Sequence, residues 1–158
     1  MTRGFTRILI PTDFSPPSDA ALATAREFAD RFGASIHLVH VLEDPYATAA
    51  YASEVYGYLP PGLRERWERE AMTHLEAQLT PTDRARHHAT TEVLFGSNAA
   101  KSIVEHARNN YIDLIVMGTH GRGGVAHLLL GSVAERVVRT AECPVLTVRG
   151  TAPAEKAA

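Results

Sequence analysis

The sequence predicts an α/β domain, a parallel sheet with helices on both faces, and three observations carry that expectation. Short apolar runs rich in β-branched residues alternate with helix-length amphipathic segments from Arg7 to Val148, the pattern of strand, crossover helix, strand. The runs Ile8-Leu9-Ile10 and Ile112 to Met117 are almost wholly apolar, as strands covered on both sides must be. A loop carrying Gly118, Gly121, Gly123 and Gly124 follows the second of these runs and precedes an amphipathic segment. Glycine there allows positive φ and close backbone approach, so that N–H groups converge on an anion.

The elements follow in order. Arg7 to Thr12 reads as the first strand. Pro16-Pro17-Ser18-Asp19 opens a helix to about Phe32 with Gly33 as its stop, because proline suits a first helical turn and glycine a C-cap. Its apolar stripe is Ala21, Leu22, Ala25, Phe28, Ala29 and Phe32. Ala34 to Leu42 alternates and ends in the β-rich run Ile36 to Leu42, the second strand. Glu43 to Pro61, with Tyr46, Tyr51, Tyr56 and Tyr58, shows little periodicity and reads as a long excursion, either a lid, a partner surface or an ordinary loop. A helix from about Gly62 to Leu79 follows, with Thr80-Pro81-Thr82-Asp83 as its stop. His88 to Phe95 reads as the third strand, Asn98 to Asn109 as a helix, Ile112 to Met117 as the fourth strand, Ser132 to Ala141 as the last helix and Val145 to Val148 as the fifth strand.

With 158 residues the chain suits one domain, spanning residues 1–150, and can bury a core without disulfides or a structural metal. Thr151 to Ala158 reads as a disordered tail. A 45% hydrophobic and 22% charged composition argues against disorder and against a membrane span. Met1 to Arg7 leads straight into a strand-sized apolar run instead of a signal-peptide core, which gives a cytoplasmic expectation. The lone Cys143 has no internal disulfide partner and reads as a small apolar packing residue. A net charge of −2, with no basic stripe, argues against a nucleic-acid partner.

Two familiar phosphate motifs are absent. Ser97 to Ser102 fails as a Walker A loop, since Phe95 and Ala100 stand where glycines belong, and no G-x-G-x-x-G follows the first strand. What is present is Gly118-x2-Gly121-x9-Gly131-Ser132. With its flanks, Asp113 to Gly118 before and Cys143-Pro144-Val145-Leu146 after, and with Ile8-Leu9-Ile10-Pro11-Thr12-Asp13-Phe14-Ser15 at the other end, it resembles the universal stress protein family in its ATP-binding type. The resemblance runs from about Thr6 to Arg149.

The resemblance implies an open five-stranded sheet of order 3-2-1-4-5, of the adenine nucleotide α-hydrolase-like, Rossmann-like kind. In that order the first and fourth strands meet at the switch point, where a crevice opens beyond their carboxyl ends. It further implies a nucleotide site of Pro11, Thr12, Asp13, Val41, Met117, Gly118, Gly121, Arg122, Gly131, Ser132 and Val133, holding ATP, ADP or AMP with Mg²⁺ or Mn²⁺. Each residue also has a plainer reading: Asp13 as a helix cap, Val41 as a buried strand valine, Arg122 as a solvated loop arginine and Ser132 as an N-cap. A homodimer through the edge strand Val145 to Val148 is implied as well, with an unidentified protein partner and a sensing or signalling role in stress. No residue set resembles a hydrolytic apparatus; weak ATP hydrolysis, self-phosphorylation, or an interaction module that has lost its nucleotide are the alternatives. The histidines, His120 and the neighbours His87-His88 among them, lack metal-ligand spacing and read as surface residues.

Overall fold

Alternate residues of each strand face opposite sides of the sheet, and two separate apolar layers result. The computed structural model describes residues 4–44, 60–120 and 130–150, so the excursion over 45–59, loop positions 121–129 and the tail 151–158 lie outside the described residues. Five parallel strands, β1 (Arg7–Pro11), β2 (Ser35–Leu42), β3 (Thr90–Phe95), β4 (Leu114–Gly118) and β5 (Val145–Val148), lie in the order β3-β2-β1-β4-β5. The helices between them are α1 (Pro16–Phe32), α2 (Leu63–Gln78), α3 (Pro81–His87), α4 (Ala99–Asn109) and α5 (Ser132–Thr140). Ile8, Ile10, Leu38, Leu114 and Val116 pack on one face against Leu22, Ala25 and Ala29 of α1 and Leu75 of α2. Leu9, Val39, Ile115 and Met117 pack on the other against Ile103, Val104 and Ala107 of α4 and Ala134 and Val137 of α5. A one-residue slip of any central strand would exchange the two sets. No helix among the described residues is long and apolar enough to cross a membrane.

Register in the centre is fixed at both sides of β1. Ile8 pairs with Ile36 of β2 and with Leu114 of β4. At the amino ends of these strands the Asp113 carboxylate accepts the Thr6 N–H (2.9 Å), the Thr6 hydroxyl (2.7 Å) and the Arg7 N–H (3.1 Å), which ties the start of β4 to the start of β1. α1 begins on Pro16-Pro17 after the N-cap Ser15 and ends on Gly33, whose φ of 68° places it in the left-handed region and whose N–H bonds Ala29 O.

One helix was not expected from the sequence. Thr80-Pro81-Thr82-Asp83 does not simply stop α2; it starts α3, and the strand expected from His88 begins only at Thr90. Thr80 caps the new helix, accepting the Asp83 N–H at 3.1 Å, while its own N–H and hydroxyl donate to Asp83 Oδ2 at 2.7 and 2.9 Å. The pattern of threonine, proline and an acid three residues on is a helix-opening signal. Asp83 is 2% exposed and takes a two-pronged bond from Arg26 of α1, Nε to Oδ1 at 2.9 Å and Nη2 to Oδ2 at 2.8 Å. The same Nη2 donates to Gln78 O, so one guanidinium fastens α1 to the junction of α2 and α3. Burial alone would raise the Asp83 pKa; Arg26 and the Thr80 donors outweigh it and hold the carboxyl at about 2.

Asp83→Asn should therefore lower unfolding free energy by about 2–3 kcal/mol at pH 7, less than for a fully buried pair because Arg26 keeps 31% of its side chain exposed. The ionised carboxylate stabilises the fold above its unfolded value of 3.8, and that contribution is lost as pH falls from there toward about 2. Urea denaturation of both proteins at pH 7 and pH 3 should show the gap narrowing in acid.

Candidate functional site

β1 ends at Pro11 and α1 starts at Pro16, so the chain must reverse within four residues. Thr12 continues the ladder by one step, its N–H donating to Val39 O at 2.8 Å. Its hydroxyl accepts the Phe14 N–H (3.0 Å) and donates to Ser18 Oγ (3.0 Å). Asp13 Oδ1 accepts the Ser15 N–H at 3.1 Å and the Ser15 hydroxyl, and the Ser18 hydroxyl lies 3.1 Å away. Asp13 is not itself the cap of α1, which is Ser15; it supports the helix start indirectly, through Ser15 and Ser18. Phe14 takes a φ of 64°, rare for a bulky side chain, with its ring centroid 4.5 Å from that of His40 and 5.4 Å from that of His74. His40 Nδ1 sits 2.7 Å from Thr12 O. A carbonyl only accepts, so Nδ1 carries the proton.

The facing wall comes from β4 and α5. A Cβ on Gly118 would lie 2.9 Å from the carbonyl carbon and from Cβ of Pro17, so the first turn of α1 leaves no room for a side chain there. This corrects the sequence-based reason for the residue. Among the described residues the glycines with positive φ are Gly33 and Gly62, not Gly118 or Gly131; Gly118 is required by close approach. Thr119 N–H donates to Val148 O (2.9 Å), and Thr119 O accepts the Gly131 N–H (2.6 Å), joining the residues on either side of the glycine-rich loop. Gly131, with φ −73° and ψ 160°, is the N-cap of α5. Ser132 is the first helical residue and not the cap, so its plainer reading falls.

Between these walls lies a cavity of about 390 Å³, within the range of about 300–1,000 Å³ usual for small-molecule sites. Pro11, Thr12, Asp13, Val41, Met117, Gly118, Gly131, Ser132 and Val133 all line it. Gly121 and Arg122 lie outside the described residues. Ser18, His40, Ala99, Ile103, Thr119, His120 and Ala134 also line it among the described residues. The lining is mainly aliphatic on its α4 side, with Ala99 and Ile103, and polar along the Thr12–Ser18 turn. At its rim stands the amino end of α5, whose unpaired N–H groups and positive dipole end suit an anion.

The histidines are not all surface residues. His40 and His120 line the cavity, with His120 Nδ1 3.0 Å from the Thr119 hydroxyl. His87 ends α3 and is buried, with Nε2 3.5 Å from Asp30 Oδ1, while His88 is its left-handed C-cap, so the two never share a strand. His37 and His106 form a polar group near the start of β2, away from the cavity. Burial pushes the His106 pKa down, and burial with the Arg7 and His106 charges does the same to His37. Among the described residues no three His, Cys, Asp or Glu side chains are grouped to hold a metal ion. Cys143 packs against the α4/α5 layer, where burial raises its thiol pKa, consistent with a packing role.

An open parallel sheet with a built cavity at the carboxyl ends of β1 and β4, its topological switch point, defines an α/β protein of the open-sheet class. The chain belongs to the universal stress protein family, whose model matches residues 4–149. It is 36% identical over 145 residues to universal stress protein MJ0531 of Methanocaldococcus jannaschii, covering 92% of this chain and 82% of that protein. Among solved structures it resembles the protein MJ0577 of the same organism, with a TM-score of 0.76, 25% identity and coverage of 96% and 100% of the two chains. It also shares its fold with a universal stress protein solved in complex with cAMP, at a TM-score of 0.61, 24% identity and coverage of 94% and 100%.

The close approach of Pro17 makes Gly118→Ala costly even without ligand, by about 1–3 kcal/mol. Urea unfolding of the two proteins checks this; unchanged stability would remove the Pro17 contact as the constraint on Gly118.

Proposed function

We propose that the cavity binds an adenine nucleotide and that the protein acts as a nucleotide-dependent sensor or signalling protein in a cytoplasmic stress response. The observation that carries this reading is the convergence of motif residues about one hundred positions apart on a single cavity: Pro11, Thr12 and Asp13 on one wall, and Met117, Gly118, Gly131 and Ser132 on the other. The aliphatic side, with Val41, Ala99 and Ile103, suits the flat apolar base. The amino end of α5 suits phosphate oxygens, and the Asp13 carboxylate suits ribose hydroxyls. A divalent ion, Mg²⁺ or Mn²⁺, would be held mainly by phosphate oxygens and water, which asks for few protein ligands.

We further propose that a second copy pairs along β5. Pro144 O and Val148 O point toward β4, accepting from Ile115 and Thr119, so strand alternation turns the backbone groups of Val145 and Thr147 to the sheet edge. Two such edges meeting antiparallel satisfy a two-fold axis.

Nucleotide released by denaturing freshly purified protein, identified by chromatography, tests the first proposal alongside Ser132→Glu. A carboxylate in the first turn favours the helix by about 0.3–1 kcal/mol yet repels phosphate. The variant should keep its melting temperature and lose its nucleotide; equal retention would remove α5 from the phosphate site, and no nucleotide or affinity in either protein would remove the reading. For the dimer, Thr147→Pro should run as a folded monomer in light scattering, and a persisting dimer would exclude the β5 edge.

A further inference from the structure

The histidine one position before Val41 is the part of the cavity that the motifs leave unexplained. His40 lies on β2, yet its ring reaches across to the turn that leaves β1, with Nδ1 2.7 Å from the Thr12 carbonyl and its ring centroid 4.5 Å from that of Phe14. Both partners belong to the stretch that sets the direction of Asp13, the residue between them. Phe14 adopts a φ of 64°, a left-handed conformation unfavourable for such a side chain that persists only where surroundings hold it. The surroundings here include the rings of His40 and of His74 on α2, whose centroids lie 4.5 and 5.4 Å from that of Phe14. The Thr12 N–H is already fixed to Val39; the His40 bond fixes the carbonyl of the same residue, so both polar groups of Thr12 are anchored to β2.

We propose that His40 is a positioning residue for nucleotide binding: through the Thr12 carbonyl and the Phe14 ring it holds the Thr12–Phe14 turn in the shape that presents Asp13 to the ligand. This rests on the adenine-nucleotide reading above. The role needs a donor at the Nδ1 position, which an asparagine amide supplies and an alanine does not. Both substitutions remove the ring from Phe14, so they disturb packing alike and differ in the hydrogen bond.

Calorimetric titration of ATP with Mg²⁺ into the unsubstituted chain, His40→Ala and His40→Asn, with melting temperatures for each, tests this. His40→Ala should weaken binding roughly tenfold, as loss of a well-placed hydrogen bond does, and His40→Asn should recover most of that loss although the two melt alike. Equal binding by His40→Ala and the unsubstituted chain overturns the proposal. Equal weakening by both substitutions also overturns it, since ring packing alone would then account for the residue. No binding by the unsubstituted chain overturns the nucleotide reading and this inference together. A measurement free of substitutions uses ¹⁵N-labelled histidine: His40 should show the Nδ1-protonated tautomer and shift on adding ATP, and an Nε2-protonated ring overturns the assignment.

Discussion

The first turn of α1 lies directly over the carboxyl ends of β4 and β5, and much of the site's geometry depends on that contact. A Cβ at Gly118 would meet Pro17 at 2.9 Å, and one at Gly150 would meet it at 3.1 Å. Both strands therefore run into glycine where the helix crosses. Because α1 can sit this low, the four residues between β1 and α1 are compressed into a turn whose side chains bond one another. Thr12, Asp13, Ser15 and Ser18 form that network within seven positions of sequence. Lifting the helix by the width of a methyl group would disturb the turn and open the wall between β1 and β4.

The two walls are consequently held by different kinds of interaction. Among the described residues the β1 wall is held mainly by local hydrogen bonds, such as those joining Thr12, Asp13, Ser15 and Ser18, with long-range anchors from β2 at Val39 and His40. The β4 wall is long-range. Thr119 is pinned to Val148 through its N–H and to Gly131 through its carbonyl, so the point where the chain leaves β4 and the point where it enters α5 are fixed to each other and to β5. Whatever contacts residues between them make with a ligand, the amino end of α5 stays beside the end of β4. That arrangement supplies donors that need no rearrangement when an anion arrives, and such preorganisation reduces the ordering cost of binding.

Much of this was legible in the sequence, for physical reasons. Strands buried on both faces read as unbroken apolar runs, and β1 and β4 stood out accordingly, while β2 was marked by its alternation. Helix starts marked by proline and stops marked by glycine located α1 to the residue. Nine of the eleven expected residues line one cavity because strand order, not sequence distance, decides neighbours; Gly121 and Arg122 lie outside the described residues. Three features escaped. Thr80 to Asp83 carries a stop and a start at once, and reading proline only as a breaker hid α3. Gly118 looked like a backbone-flexibility residue, whereas its constraint is a neighbour one hundred positions away that no local pattern reveals. His40 looked like one more strand residue, since nothing in Leu38-Val39-His40-Val41 shows that its ring bonds the carbonyl of Thr12.

The same distinction bears on how the family motif should be read. A glycine in a phosphate-type signature is ordinarily taken as evidence for a ligand, because it permits close approach to an anion. In this chain the nearest atoms to the missing side chain of Gly118 belong to the protein, so the residue would be required even in a member that bound nothing. Gly131 differs: its φ of −73° is open to any residue, and it caps α5 through a β-region backbone. The informative part of the motif is therefore its second half, Gly131-Ser132, which the contact between Gly118 and Pro17 does not require. A relative that kept Gly118 while losing the polar groups at those positions would preserve the architecture and not the chemistry.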